Sequence, residues 1–334
     1  MRWYSIVLTN PTTGQLITPK SMAGLNSQSS YSSSSTGQVS GTPLLGGLNL
    51  NLDIPVSPYA LPHGNAWVEL EGVSLQEISQ ANNLSGANIS VYAGFQKGLP
   101  LENPGQAGLL VKGTVYQAFG NWIGTEQTLD FLIYPPTGTN DNPINLSFQW
   151  TKGQTLSAAI QQTLSTAFPS PAYSIVVNIT SNIVAPQDQV GYYSTLGQFA
   201  TYIYRMSKLF MGANYQGVSI ILQGNRITVD DGTVQAAPKK INFQDLIGQP
   251  TWIQYPALQF KCPMRSDIQV ADYVTLPEAL VTTGVGTTNP LVNANLTFKG
   301  TFQITNVRHV GNFREPTADS WVTVFDAVQP PAGR

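Results

Sequence analysis

The sequence predicts a mainly β protein with an α+β insertion, in which two barrel-like β domains flank a small two-helix α+β domain. Both ends of the chain consist of short apolar runs separated by proline, glycine and acidic turns, the pattern of successive strands. In the middle of the chain the pattern changes to apolar residues at helical spacing. At 334 residues and 42% hydrophobic content, the chain can supply a core for each of these domains.

We expect residues 1–140 to form the first barrel-like β domain. Predicted strands cover residues 2–9, 48–54, 66–72, 89–94, 108–119 and 127–134. Residues 26–41 form a Ser-rich loop with the composition of a flexible linker. Such a loop is held either by a neighbouring subunit or by packing on its own domain. The turn formers in residues 135–143 mark the end of this domain.

Residues 141–240 are expected to form the α+β domain. A first helix is predicted after the N-cap residue Thr155, with an apolar face made of Leu156, Ile160, Leu164 and Phe168. A second helix begins near Ser194 or Thr195, with an apolar face made of Leu196, Phe199, Ile203, Met206 and Phe210. Residues 174–179 predict a strand, and residues 218–222 and 226–229 predict a hairpin around a turn at 223–225.

Residues 241–334 are expected to form the second barrel-like β domain. Leu258, Phe260 and Cys262 alternate with polar residues, as in a strand with one buried face. Further strand-like runs at residues 268–270 and 273–276 leave no room for a helix, so we expect the meander to close on itself. Cys262 is the only cysteine and is expected to act as a small buried hydrophobic residue without a redox role.

Charge is unusually scarce in this chain. Charged residues make up 10% of it, against about 25% in an ordinary soluble domain. A surface with so little charge is weakly protected against association, which favours burial of much of it by partner subunits. An extracellular β protein with a polar, uncharged surface is the alternative. The net charge is −2 and the charged residues are isolated from one another, so specific binding of nucleic acid is not expected. A nearly neutral protein surface would still allow DNA to move past without binding to it.

The apolar run at the N-terminus is very short. It ends at Asn10 and Pro11, so it is interpreted as a first strand and not as a signal peptide. No segment is apolar enough to cross a bilayer as a helix. The sequence therefore predicts a protein without a membrane segment.

The two histidines, His63 and His309, lie far apart in the sequence. Neither a histidine metal motif nor a Ser, His, Asp arrangement has obvious members, so structural roles are favoured for both. No glycine-rich loop has the pattern of a phosphate-binding site. We therefore expect no catalytic residues, no metal site and no cofactor.

Glu69 and Glu71 are two apart on one predicted strand and would point the same way. A glycosidase needs its two carboxylates on opposite sides of the bond that it cleaves, so these two are interpreted as neighbours on a polar face. The remaining acidic pairs are expected to be exposed: Glu126 with Asp130, and Asp230 with Asp231.

Several segments share motifs with one protein family. Residues 241–277 contain a Gly-x-Pro-x-Trp lead-in, a Phe-Lys-Cys strand, an arginine and an Asp-x-Val-x-Leu-Pro strand. The chain continues with Phe-x-Ile-x-x-Val-x-His-x-Gly at residues 302–311 and Trp-x-Thr at residues 321–323. Together with residues 48–55, 67–79, 91–104 and 117–125, these segments resemble the two end domains of contractile-tail bacteriophage baseplate hub proteins. Trp122, Trp252 and Trp321 lie within the matching segments, where core packing is expected for most tryptophans and interface contacts for a minority.

The resemblance implies a structural subunit of a phage tail baseplate. Such hubs are homotrimers in which two tube-type β domains per chain present six similar modules, so that a sixfold tail tube is joined to a threefold central spike. The implied partners are the tail tube protein, the central spike protein and other baseplate proteins, and the ring surrounds the DNA channel. The implied location is the tail baseplate of the virion, assembled in the bacterial cytoplasm. The α+β domain and the Ser-rich loop would bind neighbouring baseplate proteins.

Two other functions remain open at this point. A tail-associated adhesin or carbohydrate-binding module would use exposed aromatic residues on loops. A peptidoglycan-cleaving tail enzyme ranks lower, because the sequence offers no convergent acid pair and no set of metal ligands.

Overall fold

The computed structural model describes residues 1–18, 29–33, 38–39, 42–43, 47–59, 65–96, 104–138, 142–212, 214–277, 298 and 300–330. Two short pieces of the predicted Ser-rich loop 26–41 fall within these ranges, and His63 lies outside them. The described part of the chain is mainly β with a helical middle, as predicted.

The strands of the first part of the chain are β1 (Arg2–Thr9), β2 (Tyr31–Ser32), β3 (Gln38–Val39), β4 (Thr42–Pro43), β5 (Asn49–Val56), β6 (Ala66–Glu71), β7 (Asn88–Phe95), β8 (Gly108–Ile123) and β9 (Glu126–Tyr134). Helix α1 (Leu75–Ser79) follows β6, and single 3₁₀ turns cover Ala81–Leu84 and Pro104–Gln106. All six strands predicted before residue 135 are confirmed to within a few residues.

The middle of the chain contains β10 (Leu146–Trp150), α2 (Leu156–Ala167), β11 (Ser174–Asn178), β12 (Gln189–Tyr193), α3 (Leu196–Met211), β13 (Ser219–Gln223) and β14 (Arg226–Asp230). The last part contains β15 (Lys239–Lys240), β16 (Thr251–Gln254), β17 (Ala257–Pro263), β18 (Tyr273–Thr275), β19 (Thr301–Asn312) and β20 (Trp321–Val328), with 3₁₀ turns at Phe243–Asp245 and Ala318–Ser320.

One large sheet joins the two ends of the chain. Its strands follow the order β16-β17-β20-β19-β5-β6-β9-β8-β7-β1-β2, and β18 pairs with β19 and with β15. The link between the first and last parts is the antiparallel pair β5–β19, which runs from Val56 opposite Val307 to Asn51 opposite Asn312. A single apolar core continues beneath both parts. The two regions predicted as β domains therefore share a sheet and a core.

Trp321 fastens the two ends of the chain together at this core. Its side chain is 1% exposed, and its indole Nε1 donates to the Gly94 carbonyl oxygen on β7 at 3.0 Å. The ring packs edge-on against Phe313, which in turn packs edge-on against Tyr4 on β1. Gly311 lies beneath the indole, and a Cβ there would come within 2.6 Å of a ring carbon. Only glycine permits this close approach.

Arg2 makes a second connection between the N-terminus and the closing strands. Its guanidinium donates to the carbonyl oxygens of Asn312 (3.0 Å) and Phe313 (3.2 Å) and to Ser320 Oγ (2.8 Å). These bonds satisfy carbonyl groups in the loop between β19 and β20. The first strand thus fixes the conformation of the last loop.

The middle of the chain has its own core between two helices and two small sheets. Strand β14 lies between β13 and β11, antiparallel to the first and parallel to the second, while β10 pairs with β12. Phe148 on β10 packs against Phe199 on α3, with ring centroids 5.5 Å apart. Both helices begin as predicted, since Thr155 and Thr195 accept backbone hydrogen bonds at the N-caps.

The predicted strand at residues 268–270 is wrong. Ile268 and Val270 are buried, but the backbone turns here instead of pairing with a strand. The Val270 amide donates to the Gln223 side chain (3.1 Å), and the Gln269 amide donates to the Asp272 carboxylate (2.8 Å). Side chains therefore satisfy the amides that a strand would have paired, which is how a short apolar run can be buried without forming a strand.

We expect Trp321→Ala to lower the free energy of unfolding by about 3–5 kcal/mol, because it leaves a large cavity between β7, β19 and β20. Trp321→Phe should cost less, since it keeps most of the packing and loses the hydrogen bond to Gly94. Urea denaturation followed by circular dichroism measures both. Tyr192→Ala, at a site 81% exposed, is the control and should change stability by about 1 kcal/mol or less. Equal effects at the two sites would contradict the role assigned to Trp321.

Candidate functional site

Glu69 and Glu71 lie side by side on β6, as predicted, and are held by two asparagines of β5. Asn51 Nδ2 donates to Glu69 Oε1 (2.7 Å) and to Glu71 Oε1 (2.5 Å), and Asn49 Nδ2 donates to Glu71 Oε2 (2.9 Å). Burial raises the pKa of Glu69 above its ordinary value. The two carboxylates thus form a polar ladder between neighbouring strands.

Cys262 is buried in the core, as predicted, and His309, for which a structural role was predicted, is buried there as well. His309 Nδ1 lies 2.9 Å from Thr323 Oγ1, and burial lowers the pKa of this histidine to about 3, so the ring is neutral at pH 7. Burial also raises the pKa of the Cys262 thiol to about 12, which keeps the sulfur protonated. Both side chains are therefore uncharged groups of the core at pH 7, and His309 also makes a hydrogen bond there.

Three acidic residues predicted to be exposed are buried: Asp130, Asp230 and Asp231. The prediction holds for Glu126, which is exposed. Asp130 accepts from Trp67 Nε1 at 3.0 Å, on the adjacent strand β6. Asp231 accepts from the Tyr215 hydroxyl (2.6 Å) and from the Thr180 amide (2.8 Å). Hydrogen-bond donors from distant parts of the chain offset the cost of burying these carboxylates. A local sequence pattern does not show such donors, so the prediction of exposure was wrong.

Asp230 lies where the helical middle of the chain meets β19. Its carboxylate accepts from Gln303 Nε2 (2.7 Å) on β19 and from the Gly232 amide (3.0 Å). The residue also lines a cavity of about 260 Å³ with Asp231 and Ile304. Burial raises the pKa of Asp230 to about 6, against an ordinary value of 3.8. This junction is held by a carboxylate that is partly protonated near neutral pH.

The raised pKa of Asp230 has a defined effect on stability. The folded state prefers the protonated form, so the contribution to stability is fully present below pH 3.8 and is lost as the pH rises through about 6. We expect Asp230→Asn to raise the melting temperature at pH 7.5, by a stabilisation of up to about 3 kcal/mol. The advantage should shrink between pH 6 and pH 4. Thermal melts over this pH range measure it.

Asp188→Asn is the control, because Asp188 is exposed and the hydrogen bond that its carboxylate accepts from the Lys152 amide, at 2.7 Å, can also be accepted by the side-chain oxygen of Asn. Its melting temperature at pH 7.5 should stay close to that of the unsubstituted chain, as for most exposed surface substitutions. An Asp230→Asn chain that is less stable at pH 7.5 than at pH 4, relative to the unsubstituted chain, would show that the charged form of Asp230 is the stabilising one.

The tip of the β8–β9 hairpin exposes large apolar side chains. Trp122 is 62% exposed and Ile123 is 75% exposed. The hairpin extends past its neighbours, because β7 pairs with β8 only as far as Thr114 and β6 pairs with β9 only from Thr128 onward. Of the three tryptophans in the matching segments, Trp321 is a core residue, Trp252 is partly buried, and Trp122 is presented to solvent. Trp122 is therefore the strongest candidate for an interface contact.

A second exposed region lies along helix α3. A groove of about 790 Å³ is lined by Tyr193, Tyr202, Arg205 and Leu209, among others. Leu209 is 85% exposed, and the aromatic rings of Tyr193 and Tyr202 lie 5.2 Å apart. The exposed Leu209 beside two partly exposed tyrosine rings makes this α3 groove the second candidate interaction surface.

Within the described ranges, no set of three or more His, Cys, Asp or Glu side chains is arranged to bind a metal ion. None of the helices in that part of the chain has both the length and the hydrophobicity needed to span a bilayer.

No protein-family model and no curated protein sequence matches the chain. The fold, in contrast, has a counterpart among solved structures. The 43 kDa tail protein of prophage MuSo2 from Shewanella oneidensis superposes with a TM-score of 0.51 at 9% identity, over 99% of this chain and 98% of that protein. The fold is similar to that of a phage tail protein.

Two further solved structures are similar at lower TM-scores. An Escherichia coli component of the type VI secretion system, described as structurally similar to the T4 bacteriophage tail proteins gp27 and gp5, has a TM-score of 0.45 and 11% identity over 84% of this chain and 73% of that protein. A Francisella PdpA–VgrG complex has a TM-score of 0.49 and 8% identity over 99% of this chain and 58% of that chain.

The sequence motifs indicated a resemblance to phage tail baseplate proteins, and the fold confirms this resemblance as far as a phage tail protein. The superposition with the prophage tail protein includes the helical middle as well as the shared β sheet, because it covers nearly the whole of both chains. The similarity of fold therefore extends to the helical middle and to both β regions.

Proposed function

We propose that this chain is a structural subunit of a phage tail baseplate, a trimeric hub that connects the sixfold tail tube to the threefold central spike and surrounds the DNA channel. The observation that carries the proposal is the near-complete superposition with a prophage tail protein. The motifs at both ends of the chain and the low content of charge support it. No catalytic step is part of this function.

The symmetry of the proposed assembly rests on the two β regions. The strands before residue 135 and those after residue 250 would each form a barrel-like module, and three chains would then present six modules around one axis. Such a ring matches a sixfold tube on one side and a threefold spike on the other. Helices α2 and α3 lie outside the large sheet and would contact neighbouring baseplate proteins.

The exposed apolar side chains support a role in assembly. Three large apolar side chains are each at least three-quarters exposed: Tyr192, Leu209 and Ile123. The chain has few charged residues to keep such a surface soluble. Burial against partner subunits removes such side chains from water. The net charge of −2 suits a ring through which DNA passes without being held.

The mass of the purified chain in solution tests the trimer. Light scattering behind size exclusion, over a series of concentrations, is expected to approach three times the chain mass of 36.0 kDa. Negative-stain images of that species should show threefold particles with a central opening. A mass that stays at one chain throughout the series would contradict the homotrimer.

A carbohydrate-binding module or adhesin is the second candidate. It is favoured by three exposed aromatic residues, Trp122, Tyr192 and Tyr255, since exposed rings that combine an apolar face with a polar group are effective contact residues. A screen of the isolated chain against immobilised glycans tests it. Glycan binding that is lost on substitution of these residues would favour the adhesin. Absence of glycan binding would count against the adhesin and in favour of the hub.

A further inference from the structure

Two exposed surfaces of the chain complement each other in chemistry. The first is the hairpin tip, residues 122–126, which presents Trp122, Ile123 and Glu126. The second is the α3 groove, lined by Tyr59, Tyr193, Tyr202, Arg205, Met206 and Leu209. One surface is a protruding apolar group with a negative charge, and the other is an apolar hollow with a positive charge.

The hairpin tip is a preformed projection. Strand pairing continues to its end, with Trp122 opposite Gln127 and Ile123 opposite Glu126. Gly124 has a φ of +63° and so permits the tight turn between the strands. The indole Nε1 of Trp122 donates to the Gly124 carbonyl oxygen at 3.0 Å, which fixes the ring beside the turn. Because the tip is already ordered, its docking would cost little conformational entropy.

The residues of the α3 groove are also held in place by hydrogen bonding and packing. The Tyr202 hydroxyl donates to Gln189 Oε1 on β12 (3.1 Å), and Met206 is buried in the core beneath the groove. Its volume of about 790 Å³ leaves room for large side chains. Arg205 is exposed and forms no ion pair or side-chain hydrogen bond with any residue that the structure describes.

The charge of the hairpin tip is also unpaired. Glu126 is exposed, and its carboxylate has no ion-pair or hydrogen-bond partner within the described ranges. Charged residues make up only 10% of this chain, so an exposed, unpaired acid beside one apolar surface and an exposed, unpaired base beside another are notable features. Charge complementarity of this kind selects partners and fixes their register.

One chain does not fill its own groove. The tip lies at the Glu126 end of β9, whereas the amide of Leu196, at the start of α3, donates to Thr137 just beyond the Tyr134 end (2.8 Å). The two ends of this strand are roughly 26 Å apart at about 3.3 Å per residue. Further along α3, Tyr204 lines a cavity with Ile304, again at the end of the sheet away from the tip. If the tip occupies such a groove, the groove belongs to another copy.

We propose that the hairpin tip of one copy docks into the α3 groove of the next, with the Glu126 carboxylate facing the Arg205 guanidinium. The contact is heterologous, because each copy contributes a different surface to either side, and it generates a ring when the rotation between copies closes. The inference rests on the proposed trimer and names the surfaces through which its copies meet.

Charge reversal tests the pairing directly. Glu126→Lys and Arg205→Glu should each weaken self-association by roughly ten-fold or more, measured as a dissociation constant by analytical ultracentrifugation. The chain with both substitutions restores an opposite-charge pair at every interface, so it should return to within a few-fold of the unsubstituted value. Both sites are exposed, and the melting temperature of each variant in dilute solution should therefore stay the same.

Lys240→Glu is the matched control, because Lys240 is exposed and belongs to neither surface. It should leave self-association unchanged. If the unsubstituted chain is a trimer and the single reversals do not weaken it, the proposed contact is wrong while the hub proposal stands. If the singles weaken it and the double substitution does not restore it, the direct pairing of Glu126 with Arg205 is wrong. An unsubstituted chain that stays monomeric contradicts both the trimer and this contact.

Cross-linking gives an independent measurement. A Trp122→Cys chain mixed with a Leu209→Cys chain should form a disulfide-linked dimer under mild oxidation, whereas either chain alone should not reach the same yield. The native Cys262 is buried and is the same in all samples. A trimer that forms without a cross-link in the mixture would overturn the proposed contact.

Discussion

The pairing of β5 with β19 is the constraint on which the rest of the structure depends. These strands lie more than two hundred residues apart in the sequence, and their ladder makes one sheet of the first and last parts of the chain. Trp321 donates a hydrogen bond to β7 and Arg2 donates one to the end of β19, so both add to the connection between the first and last parts of the chain. Because this pairing is non-local, its formation carries a large entropic cost of loop closure, which the sheet and the core must offset.

Buried polar groups then set how the helical middle meets the sheet. Asp230 receives a hydrogen bond from Gln303, and Gln223 accepts one from the Val270 amide, so each side of the junction satisfies groups of the other. Such bonds specify position more than they add stability, since an unpaired buried group is costly whereas a paired one contributes little. The raised pKa of Asp230 is the consequence of placing an acid at this junction.

The exposed surfaces differ from the core in that their large apolar side chains are not covered by the chain itself. Trp122 at the hairpin tip and Leu209 beside the α3 groove are held by ordered strands and helices, yet neither is covered by the chain itself. In an assembly they supply preorganised apolar contacts, and the few charges nearby can determine which surfaces meet.

The sequence by itself determined the local elements, because alternation, helical spacing and capping are short-range patterns. Thr155 and Thr195 mark the helix starts, and Leu258 to Cys262 alternate as a strand should. Strand β10 shows the same alternation and could have been found, as could α1 from its Ser74 capping box. Only the tertiary structure decided that the two β regions share one sheet, that Asp130, Asp230 and Asp231 are buried, and that the hairpin tip and the α3 groove lie at opposite ends of β9. Each of these depends on partners far away along the chain, which no local pattern encodes.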